Sequence, residues 1–164
     1  MTDKINPIRE TDDDARTLAR DLLGSARVAA LGVIEPATGA PFVSRIAFGL
    51  GPDGQPMTLV SDLALHARAL RADPRASLLI GEPGVKGDPL THPRLTLRAT
   101  ARFLEPSAEE RARLRAAWLQ HHPKSGLYVD FADFHFVVFE VDSGHLNGGF
   151  AKAYALGQND LKVT

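Results

Sequence analysis

The chain has 164 residues, no cysteine and a formal net charge of −1, set by 19 Lys and Arg against 20 Asp and Glu. That length suits one domain able to bury a core without covalent staples. The missing cysteines exclude disulfides and thiolate chemistry, and the even charge leaves no electrostatic footprint for nucleic acid. No apolar run reaches the ~18–20 residues of a membrane span, and the polar, acidic stretch Met1 to Asp14 lacks the apolar core of a signal peptide. The expected setting is therefore the cytoplasm.

Residues 1–11 carry no periodic signal and read as an N-terminal arm. From Asp12 the pattern turns helical, with Ala15, Leu18, Ala19, Leu22 and Leu23 on one face, acidic residues at the start and Gly24 at the end. Val28 to Ile34 is apolar and partly β-branched, as a strand requires, and Pro36, Thr38 and Gly39 then turn the chain. Phe42 to Leu50 alternates, placing Phe42, Ser44, Ile46 and Phe48 on one side and Val43, Arg45 and Ala47 on the other. Asp53-Gly54 predicts a hairpin returning through Met57 to Val60. A short helix follows over Leu63 to Ala72, stopped by Asp73-Pro74. A strand runs from Ala76 to Gly81, then a Gly- and Pro-rich loop over Glu82 to Pro93 whose length marks it as a candidate for function. Leu95 to Leu104 is a long alternating strand. Ser107 and Glu110 form a capping box for a helix reaching about His121, ended by Pro123. Phe134 to Val141 is the last strong strand. Hairpins interrupted by helices predict an antiparallel α+β barrel rather than a doubly wound parallel sheet.

Gly49-Leu50-Gly51-Pro52-Asp53-Gly54 matches the dinucleotide-binding glycine pattern, but that motif must open a helix. Here a strand follows, so the glycines belong to a turn. No spacing of metal ligands and no nucleophile elbow occurs. His121-His122 closes a helix, where a histidine suits the dipole. The chemistry-bearing cluster stands at one strand–helix junction. Arg45 interrupts an apolar strand, Ser61 ends the next strand, and His66 and Arg68 lie in the first turns of the following helix. A guanidinium fork, a hydroxyl and a helix N-terminus together suit a phosphate. Each residue also has a plain alternative. Arg45 would then be the outward residue of a half-exposed strand, Ser61 or Asp62 a helix cap, and His66 and Arg68 a solvated helix face.

The stretch Phe42-Val43-Ser44-Arg45-Ile46-Ala47 resembles the cofactor strand of pyridoxamine 5′-phosphate oxidase-like FMN-binding split barrels. So do Leu59-Val60-Ser61, Leu65-His66-Ala67-Arg68-Ala69-Leu70 and Asp73-Pro74-Arg75-Ala76-Ser77-Leu78. The haem-utilisation (HugZ-type) branch is echoed by Gly87-Asp88-Pro89-Leu90-Thr91-His92-Pro93-Arg94-Leu95-Thr96-Leu97 and by His145-Leu146-Asn147-Gly148-Gly149-Phe150-Ala151-Lys152-Ala153. The resemblance implies an antiparallel six-stranded split β-barrel with flanking helices over residues 12–154, followed by a tail over 155–164. It implies a homodimer that holds FMN at its interface and serves as an FMN-dependent oxidoreductase. Arg45, Ser61, His66 and Arg68 would meet the FMN phosphate, and the backbone around Ile46, Ala47 and Val60 would line the flavin. Arg94 would approach from the partner subunit, and the loop near Lys152 would close over the cofactor. Haem on the same barrel, with His92 or His145 as ligand, is the alternative; a dimeric binding module without redox chemistry is the third. The sequence departs from the family pattern at Ala69, where Asn is frequent, and at His66, where a Lys faces the phosphate. It departs again at Ala99, where Gly is common, and at Asn147 and Lys152 in the tail motif.

Overall fold

A computed structural model describes residues 6–163. The elements, in chain order, are β1 (Ile8–Arg9), α1 (Asp13–Ser25), β2 (Val28–Ile34), β3 (Pro41–Ala47), β4 (Gly49–Leu50) and β5 (Pro56–Ser61), then α2 (Leu65–Ala72), β6 (Arg75–Ile80), β7 (Arg94–Phe103), α3 (Ala108–His121), β8 (Phe134–Asn147) and β9 (Ala153–Gly157). Short 3-10 turns cover Pro89–Thr91, Pro123–Leu127 and Gln158–Leu161.

Among the described residues these strands form one nine-stranded sheet. The ladder runs β3–β2–β6–β7–β8, and β8 also pairs with β5, which pairs with β4. Only Phe48 separates β4 from β3, so the path of pairings returns to where it began and encloses a core. The expected six antiparallel strands are thus corrected to nine in a mixed sheet. The added pieces are β4, set apart by the interruption at Phe48, β9, laid on the second half of β8, and β1 beyond it. β1 pairs parallel with β9, matching Ile8 to Ala153. Two further expectations shift with them. Part of the arm is a strand, and the supposed tail packs inward through Leu156 and Leu161, both buried. Leu161 is the near neighbour a Cβ on Gly144 would meet, at 3.0 Å.

β8 organises the fold. Its first five residues pair with β5, Asn147 and the four residues before it pair with β9, and β7 pairs with it from Val137 to Asn147. The strand was expected to end at Val141. It instead passes a bulge, in which Ala99 faces Val141 and Arg98 faces Ser143, so that Asp142 is the extra residue.

Strict alternation along β2, β6 and β7 puts Leu31, Val33, Leu78, Ile80, Leu95 and Leu97 inside the barrel. The helices close it. Asp12 caps α1 by accepting from the Ala15 N–H at 2.8 Å, and Ala15, Ala19 and Leu23 bury the inward stripe. α2 plugs one end with Ala67, Ala69 and Leu70. α3 starts on the expected capping box of Ser107 and Glu110 and seals the outer side of β5 and β8. There Trp118 packs with Met57, Leu59, Phe136 and Val138 in a second core. The glycine-rich motif is a turn between β4 and β5, closed by Gly54 N–H to the Gly51 carbonyl at 2.9 Å. Gly54 has φ of 76°, which favours glycine, and a Cβ there would run into the Val163 carbonyl.

Candidate functional site

Cross-strand register fixes which side chains share a face. One outward row reads Arg45, Ala30, Leu79, Thr96, His145 and Ala155 across β3, β2, β6, β7, β8 and β9. The next reads Val43, Gly32, Ser77, Arg98, Ser143 and Gly157. Among the described residues no helix packs over this face: Val43 is 66% and Leu79 44% exposed. Its floor is made of small residues, Ala30, Gly32 and Ser77. A shallow, mainly apolar groove of about 440 Å³ crosses it between Ile34 and Arg98. Arg45, Arg98 and His145 stand on it exposed. No hydrogen bond or ion pair engages their side chains among the described residues. His145 and Arg98 are diagonal neighbours on adjacent strands, a Cα separation of about 7–8 Å.

The predicted phosphate corner is not assembled as expected. Arg45 points outward, but the preceding Ser44 points to the other side of β3, and its hydroxyl lies 3.1 Å from His66 Nδ1. Arg45 and His66 therefore sit on opposite sides of β3, because neighbouring residues on a pleat diverge. Burial pushes the His66 imidazole below its usual pKa, which keeps it neutral and ill-suited to hold an anion. Ser61 shares the outward side, yet its hydroxyl donates to Asp133 Oδ2 at 2.6 Å and accepts from the Leu63 N–H at 3.1 Å. The neighbouring Asp62 is bound by Arg71 at 2.9 Å and by His135 at 2.8 Å. Arg71 first, and then His135, hold that carboxyl below its ordinary range. Arg71 also stacks on Phe103, 3.9 Å from the ring centroid. Two carboxylates thus occupy the corner meant for phosphate. Asp133 lies seventy-two positions from Ser61, and no local signal betrays it. What remains for an anion there is Arg68, exposed, and the N-terminus of α2. Its cap, Ala64, offers no side-chain acceptor, and the N–H groups of Leu65, His66 and Ala67 have no acceptor among the described residues.

Ile46 and Val60 are buried with their side chains in the barrel core, so only their backbone is free to line a ligand, whereas Ala47 is half-buried on the outward side. Arg94 is turned back on its own loop, donating to the Leu90 carbonyl at 2.8 Å. Lys152 is exposed at a tight turn in which Ala151 has φ of 55°. That turn touches the long loop, since a Cβ on Gly149 would lie 3.3 Å from the Thr91 carbonyl. The loop itself is built around His92. Nδ1 accepts from the Gly84 N–H at 3.1 Å and Nε2 donates to the Lys86 carbonyl at 2.7 Å. With both nitrogens engaged, His92 has no lone pair left for a metal. Of the two histidines named as ligands, His145 alone keeps a free ring.

The family model described as "CREG, beta-barrel" matches residues 10–160. The chain belongs to the CREG beta-barrel family. This CREG barrel is 37% identical over 125 residues to the chloroplastic non-canonical heme oxygenase HOZ of Arabidopsis thaliana, a match covering 75% of the chain and 36% of the plant protein. It is 32% identical to a heme binding protein from Mycobacterium smegmatis, with a TM-score of 0.81, covering 92% of the chain and 61% of that protein. It spans about a third of the plant relative and under two thirds of the mycobacterial one. A pyridoxinephosphate oxidase family protein from Clostridium acetobutylicum, 16% identical, shares the fold with a TM-score of 0.69 over 92% of the chain and 99% of that protein. The fold thus lies among pyridoxamine 5′-phosphate oxidase-like barrels.

The donor set tests each cofactor. At the predicted corner Ser61 is committed to Asp133 and His66 is turned inward, which leaves Arg68 and the α2 N-terminus as the groups able to meet a phosphate. The outward face offers a different chemistry. Its floor is side-chain-poor, and among the described residues its guanidiniums are unpaired and its imidazole is free. No helix is long and apolar enough to cross a membrane among the described residues.

Proposed function

We propose that this protein binds haem on the outward face of β2, β6, β7 and β8. The observation that carries the reading is the exposed row holding a free His145 beside Arg98, over a floor of Ala30, Gly32 and Ser77. His145 would supply a ring nitrogen as an iron ligand. Arg98 and Arg45 pair with propionates, and the small residues let the ring approach the sheet. A second copy of the chain covers the other side of the ring, which gives the expected homodimer its reason: the exposed Val43 and Leu79 are buried with it. Bound haem would supply the redox and oxygen chemistry, and the chain supplies orientation and charge. The names carried by the Arabidopsis and Mycobacterium relatives support the same reading.

Titrating the purified protein with haemin tests this. We expect a shifted Soret band, weakened at least tenfold in affinity by His145→Ala and unaffected in position by His121→Ala. An unshifted Soret band ends the proposal. Adding a reductant under air to the loaded protein asks whether haem is also consumed, as the plant relative's name suggests.

FMN remains the second reading, supported by the uncapped α2 N-terminus and the unpaired Arg68. A yellow protein as purified, with flavin absorbance lost on Arg68→Glu, favours it over haem.

A further inference from the structure

The chain switches sheet partners at Phe48. Its N–H still bonds the Arg27 carbonyl at 2.9 Å, on the β2 side, while Gly49 already pairs with Met57 of β5. At this switch two successive carbonyls are met by side chains. The first, on Ala47, accepts from the buried Thr58 hydroxyl. The second, on Phe48, accepts from Nε2 of His122 at 2.9 Å. His122 is delivered by the end of α3, where its ring stacks on Trp118 with centroids 4.2 Å apart. The approach is close: a Cβ on Gly49 would lie 3.4 Å from the indole and 3.7 Å from His122 Nε2. The switch immediately follows Arg45 and Ala47, the β3 end of the outward row.

We infer that His122 is a positioning residue. Its ring N–H fixes the partner switch at Phe48 and thereby aims Arg45 along the outward face toward an anionic edge of the ligand. This rests on the haem reading above for its ligand, but not for its geometry. His122 touches no part of the outward face itself. It acts through the Phe48 carbonyl, so its effect on binding must vanish when Arg45 is gone. Arg98, three strands away on β7, must be untouched by it.

The test is a double-mutant cycle. His122→Phe keeps an aromatic ring over Trp118 and removes the donor, whereas His122→Gln retains an N–H donor. Haemin affinity is measured for the wild type, both His122 variants, Arg45→Ala, and His122→Phe combined with Arg45→Ala. Amide exchange at residues 44–49 is followed in all of them without ligand. We expect His122→Phe to weaken haemin binding 3- to 10-fold and to speed exchange at Phe48 and Gly49. We expect His122→Gln to restore affinity within twofold, and His122→Phe to add nothing once Arg45 is Ala. Unchanged exchange in His122→Phe overturns the inference, as does an equal loss of affinity with and without Arg45. If the wild type binds no haemin, the haem proposal fails, and exchange at 44–49 alone decides whether His122 fixes the switch.

Discussion

Ser61→Ala separates a structural hydroxyl from a ligand-binding one. The substitution removes two hydrogen bonds. One is donated to the Asp133 carboxylate at 2.6 Å, the other accepted from the Leu63 N–H at 3.1 Å. A bond to a charged group contributes about 1.5–3 kcal/mol and a neutral one about 0.5–1.5 kcal/mol. Both sites are half-exposed or exposed, so water replaces part of each, and the net cost is about 1–2 kcal/mol. For a chain of this size that corresponds to a Tm lowered by roughly 2–8 °C. Thermal melts followed by circular dichroism read the stability, and haemin titration of the same samples reads the site. We expect the melt to shift and haemin affinity to stay within twofold. The reverse pattern, full stability with ligand affinity lost, would show that the hydroxyl faces a ligand as the family motif implies and would refute the reasoning from Asp133.

On the outward face, Arg98→Glu should weaken haemin binding more than tenfold while leaving the melt within about 1 kcal/mol of wild type, as expected of an exposed substitution. Gly81→Ala should destabilise by several kcal/mol and increase proteolysis of the 82–93 loop. Gly81 has φ of 101°, and a Cβ there would lie 2.5 Å from the Pro93 carbonyl oxygen, a backbone atom that cannot swing away. Trp118→Ala should cost about 3–5 kcal/mol in a urea melt, because the indole is 2% exposed and fills the second core. Burial depresses the imidazoles of both His66 and His122. The unfolded chain then binds more protons than the folded one, so stability is full above pH 6.5, the ordinary value, and falls as the solution is acidified below it. His66→Gln should flatten that slope between pH 7.5 and 5.5. A lower, separate window belongs to Asp73, which the Arg75 side chain pulls down to about 2. Its contribution is intact above the usual 3.8 and disappears toward pH 2, a step that Asp73→Asn should remove from acid titrations.

What the sequence makes legible is local and periodic. The alternation around Arg45, the capping box at Ser107 and the turn at Asp53-Gly54 each rest on residues within a few positions of one another, and the structure shows all three. Alternation also contained the key to the site, since it placed Ser44 and Arg45 on opposite sides. The expectation of one corner holding both Arg45 and His66 came from their shared closeness to one strand–helix junction, and it overlooked that period. What escapes is non-local. Asp133 reaches Ser61, His135 reaches Asp62 and His122 reaches Phe48 only after strands distant in sequence have paired. His92 was read as a candidate ligand because nothing in the order of residues says that Gly84 and Lys86 will take both its nitrogens. The outward rows are implicit in the pattern of each strand, but register between strands is needed to line up His145 with Thr96 and Leu79.

The double use of β8 has a consequence for how the molecule is made. Until Phe134 and the residues after it have left the ribosome, β5 has no long partner, although five of its six residues are destined for burial. A nascent chain of some hundred and thirty residues therefore exposes an apolar edge that invites pairing with other chains. Truncation within β8 should yield aggregates rather than a smaller barrel, and synthesis that pauses there should demand a chaperone more than a pause at any earlier strand.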